Sequence, residues 1–239
     1  MKKPKMILFD FGETLITEDF DPEKGNAAVY KYIKKNPDDV SLKTINDFSR
    51  ELFNDIRKCS NCSFTNALEV HGFSLNRYLY EYFNIEFDIS PFEIEQAYFN
   101  GCRSYSRATT NALEFLEYLK EKGIRVAILS NMLYSEKTLI NWIKKDLNWN
   151  EFEFIITTSE YVFRKPNKRI FELAIKKARL NADEVWYIGN SSYFDVEASH
   201  NAGLYPVWYK GARWEREDFV PDFEYTEVLD FKDMIGVFD

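Results

Sequence analysis

Three short apolar runs in this chain each end in small polar side chains of the kind that does chemistry. Met6–Phe9 runs into Asp10, Val126–Leu129 into Ser130-Asn131, and Val185–Ile188 into Gly189-Asn190. A carboxylate is a nucleophile or a hard-metal ligand, and hydroxyls and carboxamides hydrogen-bond to anions. A lone Asp after a strand is commonly a turn or cap residue. Three such endings in one sheet would instead converge, because ligands of open α/β sheets bind at the carboxyl ends of the strands. Lys165 is a fourth candidate, just ahead of Pro166 and a helix predicted over Asn167–Arg179. A cation at the positive end of a helix dipole costs a few tenths to about 1 kcal/mol unless an anion offsets it. Either Lys165 extends into solvent, or it and the helix terminus face a shared carboxylate or phosphate.

Other site types fit less well. The chain has no G-x-x-x-x-G-K-[ST] loop and no G-x-G-x-x-G fingerprint. Gly189-Asn190-Ser191-Ser192-Tyr193 begins like a nucleophile elbow, but Tyr193 takes the second glycine position. His71 and His200 are the only histidines, so a Ser-His-Asp triad has few possible bases. His200 reads as a surface or packing residue. Cys59-Ser60-Asn61-Cys62 has C-x-x-C spacing, and His71 and Cys102 would complete four zinc ligands. A second closely spaced pair is missing, and no thioredoxin-like pattern surrounds the motif, so free thiols at a helix end is the preferred reading.

The elements that must position these residues follow from hydrophobic patterning. The three runs, with Phe154–Ile156 and Pro206–Tyr209, lack in/out alternation and read as strands buried on both faces. Leu113, Leu116 and Leu119 are spaced for one helix face ending at Gly123. Ile170, Leu173, Ala174 and Ala178 mark another helix, with Pro166 in its first turn. Strand–helix–strand alternation implies an α/β, doubly wound parallel sheet core, residues 1–16 and 110–239. Residues 17–109 show no clear strand and read as an inserted helical cap. Leu42, Ile45, Phe48, Leu52 and Ile56 form one stripe there, and Leu75, Tyr78, Leu79, Tyr82 and Phe83 another. Ser90-Pro91-Phe92-Glu93 has the form of a capping box.

Composition narrows the class. The 239 residues are 45% hydrophobic and 17% aromatic, too apolar for a disordered chain. The 31 basic and 39 acidic residues give a net charge of −8. Nucleic acid is not an expected partner, because binding a polyanion needs a concentrated cationic face. No apolar run nears the roughly 20 residues that span a bilayer, so no membrane partner is expected. Met6–Phe9 is too short for a signal-peptide core. These features and the odd cysteine count point to a reducing, cytoplasmic setting. Oligomeric state and substrate identity are not legible.

The strand-end residues resemble the four motifs of the haloacid dehalogenase superfamily of hydrolases. Phe9-Asp10-Phe11-Gly12-Glu13-Thr14-Leu15 is similar to the first, Leu129-Ser130-Asn131 to the second, and Phe163-Arg164-Lys165-Pro166-Asn167 with Ile170-Phe171 to the third. Ile188-Gly189-Asn190-Ser191 through Asp195, then Ala202-Gly203, is similar to the fourth. Order and spacing agree from about residue 5 to 209. The resemblance implies a Mg²⁺-dependent phosphatase of a small phosphorylated substrate, with Asp10 as nucleophile through an aspartyl-phosphate. It implies that Ser130 and the Asn131 backbone hold the phosphoryl oxygens and that Lys165 offsets negative charge. Asp10, the Gly12 carbonyl, Asn190 and Asp195 would surround the metal.

Two positions depart from the family pattern. Gly12 stands where these phosphatases usually carry an aspartate general acid, worth roughly 10²–10⁴ in rate. Asn190 stands where an aspartate usually opens the fourth motif, which removes a charge from the metal shell. Without the acid, aryl and acyl phosphates should react faster than alkyl ones. Two rival readings follow: a dehalogenase, whose carbon–halogen cleavage needs neither metal nor leaving-group protonation, and a degenerate member that binds a phosphorylated ligand or partner without turnover.

Overall fold

A computed structural model of the chain describes residues 3–60, 64–212, 220–236 and 238. In chain order, β1 (Met6–Phe9) opens the core and β2 (Ile16–Phe20) leaves it. There follow α1 (Pro22–Tyr30), β3 (Ile33–Lys35), α2 (Leu42–Ser60), α3 (Gly72–Tyr82), β4 (Glu86–Phe87) and α4 (Pro91–Cys102). Then β5 (Arg103–Ala108) returns to the core. The rest alternates: α5 (Ala112–Glu121), β6 (Arg125–Ser130), α6 (Glu136–Trp142), β7 (Ile155–Thr157), α7 (Lys168–Ala178), β8 (Val185–Gly189), α8 (Ala198–Asn201), β9 (Tyr205–Tyr209) and β10 (Thr226–Val228).

Six strands form one parallel sheet in the order β10-β9-β8-β1-β6-β7. Each central strand splits its side chains between two cores, as its period of two dictates. Ile7, Phe9, Val126, Ile128, Trp186 and Ile188 face α5 and α6. Met6, Leu8, Ala127, Leu129, Val185 and Tyr187 face α7 and α8. This is why the runs carry no polar alternation: both faces are covered. From β1 the chain builds outward to β6 on one side and later to β8 on the other, so the order reverses at β1. In such sheets the ligand crevice opens there, beyond Phe9.

Several details differ from the sequence pattern. The insert contains strands after all. β2 pairs with β5 as an antiparallel ribbon forming its neck, and β3 pairs with β4. Ile16–Phe20 and Arg103–Ala108 are polar, half-exposed segments without a continuous apolar run, so periodicity does not reveal them. β10 escapes for a similar reason: of its three residues only Val228 is buried. Asn167 caps α7 through its side chain, which leaves Pro166 before the helix rather than in its first turn. Leu113 lies on the outer side of α5, whose buried set is Ala112, Phe115, Leu116 and Leu119. Tyr78 and Tyr82 are 56% and 60% exposed, stacked against Phe48 rather than inside the helical core. That core is built from Val29, Ile45, Leu79, Tyr80, Ile85 and Ile94. The Ser90–Glu93 capping box forms as expected, and Gly123, at φ +67°, ends α5. His200 is exposed and stacks on Phe223.

The insert touches the core beyond its neck. Backbone bonds run from Arg164 to Ala67, Glu69 to Val162 and Gly72 to Leu133, at 3.2, 3.1 and 2.8 Å. Glu95 of α4 accepts bonds from the Ser135 amide and from the Ser135 and Thr138 hydroxyls, tying α4 to the start of α6. Among the described residues, no helix is long and apolar enough to cross a membrane.

Candidate active site

Asp10 is the first residue beyond β1, at the reversal of strand order. Its amide is fixed by the Ile188 carbonyl at 2.9 Å, and its side chain is 11% exposed. Lys165 reaches it from the loop before α7 and is itself 2% exposed. The Lys165 ammonium has three donors and three partners: Asp10 Oδ1 at 2.9 Å, Asp195 Oδ1 at 2.6 Å and the Tyr187 hydroxyl at 2.8 Å. Of the two sequence readings for this lysine, the buried one holds, and its anions are two carboxylates.

Burial alone would pull the Lys165 pKa down; attraction to Asp10 and Asp195 reverses that and leaves it raised. Burial likewise pushes Asp195 up, and the lysine pulls it back part of the way. The cation is thus held charged while two carboxylates share it. Asp195 is engaged at both oxygens, since Oδ2 accepts from the Ser191 amide at 2.9 Å. Its approach to β8 requires Gly189, where a Cβ would lie 2.3 Å from the Asp195 Cγ. Tyr187 donates to the Leu129 carbonyl at 2.8 Å, joining β8 to β6 behind the lysine.

Asn131 positions Lys165 through its backbone. Its side-chain oxygen accepts from the Lys165 amide at 2.8 Å, and its nitrogen donates to the Lys165 carbonyl at 3.0 Å. The Asn131 backbone amide is then the group best placed to meet a ligand. Ser130, the last residue of β6, is buried beside it. Asn190 follows β8, one strand from Asp10, and its carbonyl accepts from the Trp208 indole at 3.2 Å. Asp10, Ser130, Asn131, Lys165, Asn190 and Asp195 therefore gather at one end of the sheet.

A hard cation such as Mg²⁺ binds through one or two carboxylates plus carbonyls, water and substrate phosphate. Asp10 keeps one oxygen clear of Lys165, and Asn190, just after β8, and the Gly12 carbonyl, just after β1, are the neutral donors that the motif resemblance implies. Both Asp195 oxygens already accept hydrogen bonds, from Lys165 and from the Ser191 amide. Among the described residues no group of three or more His, Cys, Asp or Glu side chains could hold a metal. The donor set suits a weakly held Mg²⁺ completed by substrate and water, not a dedicated cage. Of the alternative zinc ligands, the described ones are engaged elsewhere. Cys102 is buried with its thiol toward the Phe99 carbonyl, and His71 caps α3 through Nδ1. The side chains of Cys59 and Cys62 lie outside the described residues.

The sequence reading missed Glu18. On β2, period-two alternation points Ile16, Glu18 and Phe20 inward together, and Ile16 and Phe20 pack on the core. The Glu18 Oε2 atom is shut off from solvent and has no hydrogen-bond partner. Burial, then the nearby Glu13 and Asp10 carboxylates, push its pKa up to about 8. Glu13, at φ +55°, uses Oε1 to accept from the Glu18 amide at 2.9 Å, which ties it to the strand, and its Oε2 is buried without a partner as well. Gly12 does not adopt a positive φ. The signal available in the sequence was an acidic residue between two apolar ones at alternate positions. Glu18, Asn131 and Tyr134 line a cavity of about 540 Å³ between the insert and the core, with Asn26, Arg50 and Arg57 on its outer wall.

Comparison with known proteins bears on the family and the fold. A glyceraldehyde 3-phosphate phosphatase from Pyrococcus furiosus is 26% identical over 137 residues, 56% of this chain and 54% of that one. The chain spans about half the length of the curated relatives it matches. A predicted phosphoglycolate phosphatase from Haemophilus somnus superposes with a TM-score of 0.64 at 18% identity, covering 100% of both chains. A 2-haloacid dehalogenase from Pseudomonas syringae gives 0.62 at 17%, covering 98% of this chain and 97% of that one. The two structures share the fold and do not separate the chemistries. The model of the family described as haloacid dehalogenase-like hydrolase matches residues 7–208, and the chain belongs to that family.

Proposed function

We propose that the chain is a Mg²⁺-dependent phosphatase acting in the cytoplasm on a small phosphorylated metabolite through an aspartyl-phosphate. The observation that carries this is the buried contact of Lys165 with Asp10 at the reversal of strand order. The Lys165 ammonium sets a buried positive charge directly against the Asp10 carboxyl group, while its neighbours offer hydrogen bonds for a tetrahedral anion. The phosphatase relatives support the same reading.

In this mechanism the Asp10 carboxylate attacks phosphorus and the ester oxygen leaves. Water then attacks the same phosphorus and Asp10 departs, which splits one hard displacement into two. The Ser130 hydroxyl and the Asn131 backbone amide hold the phosphoryl oxygens. Lys165, whose three donors are committed, acts through its charge on Asp10. When bound, Mg²⁺ would supply Lewis-acid polarisation of the phosphoryl group, held by Asp10, the Gly12 carbonyl and Asn190. Asp195 secures Lys165 instead of joining that shell. The helical insert serves as a cap whose side chains set specificity.

A phosphate-ester panel with Mg²⁺, run beside a haloacid panel without metal, tests the proposal. Phosphate release that depends on Mg²⁺ supports it. Halide release selects carbon–halogen cleavage, and binding without turnover selects the degenerate reading; either would overturn it.

A further inference from the structure

The missing acid at position 12 leaves a gap in the chemistry but not in space. A Cβ built on Gly12 would lie 2.9 Å from Glu18 Oε1, and its three nearest atoms all belong to the Glu18 carboxyl group. The volume in which a residue-12 side chain would begin is occupied by a carboxyl group arriving from a different strand. We infer that Glu18 supplies the proton transfer that residue 12 cannot.

The neck ribbon makes this placement firm. Glu18 sits opposite Ser106 in the β2–β5 register, flanked by the inward Ile16 and Phe20. Its amide is pinned by Glu13, so the strand cannot slide without losing that bond. An inward carboxyl group with an unpartnered buried oxygen is costly in a purely structural role, because a buried polar atom without a partner loses its hydrogen bonds to water and gains none. Glu18 lines the same cavity between the insert and the core as Asn131, the residue that follows β6.

The step balances without any further reagent. As the Asp10–phosphorus bond forms and the phosphorus–ester oxygen bond breaks, the Glu18 carboxyl proton passes to the departing oxygen and an alcohol leaves. The resulting Glu18 carboxylate then takes a proton from the water that attacks phosphorus. The phosphorus–Asp10 bond breaks, and both carboxyl groups return to their starting states. An aspartate at position 12 would meet the Glu18 carboxyl group, which would have to move aside.

This inference rests on the phosphatase reading. The test follows kcat/KM across phosphate monoesters from good aryl to poor alkyl leaving groups, in wild type, Glu18→Gln and the double variant Gly12→Asp/Glu18→Ala. Folding of each is checked by circular dichroism and thermal melting. Wild type should depend only weakly on the leaving group. Glu18→Gln should lose roughly 10²–10⁴-fold on alkyl esters and far less on the best aryl ester. The double variant should recover much of the alkyl activity, which a merely structural role for Glu18 would not allow. A steep wild-type dependence, an equal loss on all esters in Glu18→Gln, or no recovery in the double variant would overturn the inference while leaving the phosphatase reading intact. No phosphate release by wild type from any ester would overturn both.

Discussion

Lys165 illustrates how much one side chain can determine. It neutralises one charge in a buried trio that contains two carboxylates, so its removal leaves Asp10 and Asp195 facing each other in an apolar surround. Breaking a buried pair in this way costs about 3–5 kcal/mol. Lys165→Met should show a loss of that order in denaturant unfolding, and adding Asp195→Asn should return part of it, because one unpaired charge is then gone. Equal stability of the single and double variants would mean that Asp195 does not depend on the lysine. A second residue-scale prediction concerns Asn190. As a neutral donor it leaves the metal weakly held, so activity should rise with Mg²⁺ into the millimolar range. Asn190→Asp should shift the half-saturating concentration down, since a carboxylate suits a hard cation. Unchanged or weaker affinity in that variant would remove Asn190 from the metal shell.

At the scale of elements, the contact between α4 and the start of α6 holds the insert against the core. The buried Glu95 carboxylate is the acceptor for the Ser135 amide and for two hydroxyls. Hydrogen bonds to a charged group contribute about 1.5–3 kcal/mol each at most, and less when the bonds share one acceptor. Glu95→Ala should destabilise by roughly 2–4 kcal/mol, since it also orphans the amide at a helix terminus. Glu95→Gln should cost less in the same melts; a larger loss in Gln than in Ala would contradict this role. Five of the six core strands were legible in the sequence because each is a closed apolar run, and Asp10, Ser130, Asn131 and Asn190 were legible because they end those runs. The neck was not. Ile16–Phe20 reads as a polar segment until its partner strand, some 90 residues later, turns alternate side chains inward. Glu18 was invisible for that reason, and so was the commitment of both Asp195 oxygens, which depends on contacts across the sheet.

Across the whole molecule, charge frames the chemistry. The chain is strongly acidic, and the site trio of Asp10, Asp195 and Lys165 sums to −1 when all three are ionised. A phosphate ester entering that field is repelled unless a divalent cation arrives with it. The fold contributes position: three adjacent strand ends at the reversal of order, the loop before α7 behind them, and the neck ribbon on the open side. What remains to be tested is whether Asp10 forms a covalent bond to phosphorus. The direct measurement is a rapid acid quench of the first turnover with a labelled phosphate monoester and Mg²⁺, followed by peptide mapping. Label should appear as an acyl-phosphate on the peptide carrying Asp10, and should vanish in a folded Asp10→Asn variant that also releases no phosphate. Phosphate release without label at Asp10, or unchanged specific activity in Asp10→Asn, would contradict the proposed role of this carboxylate.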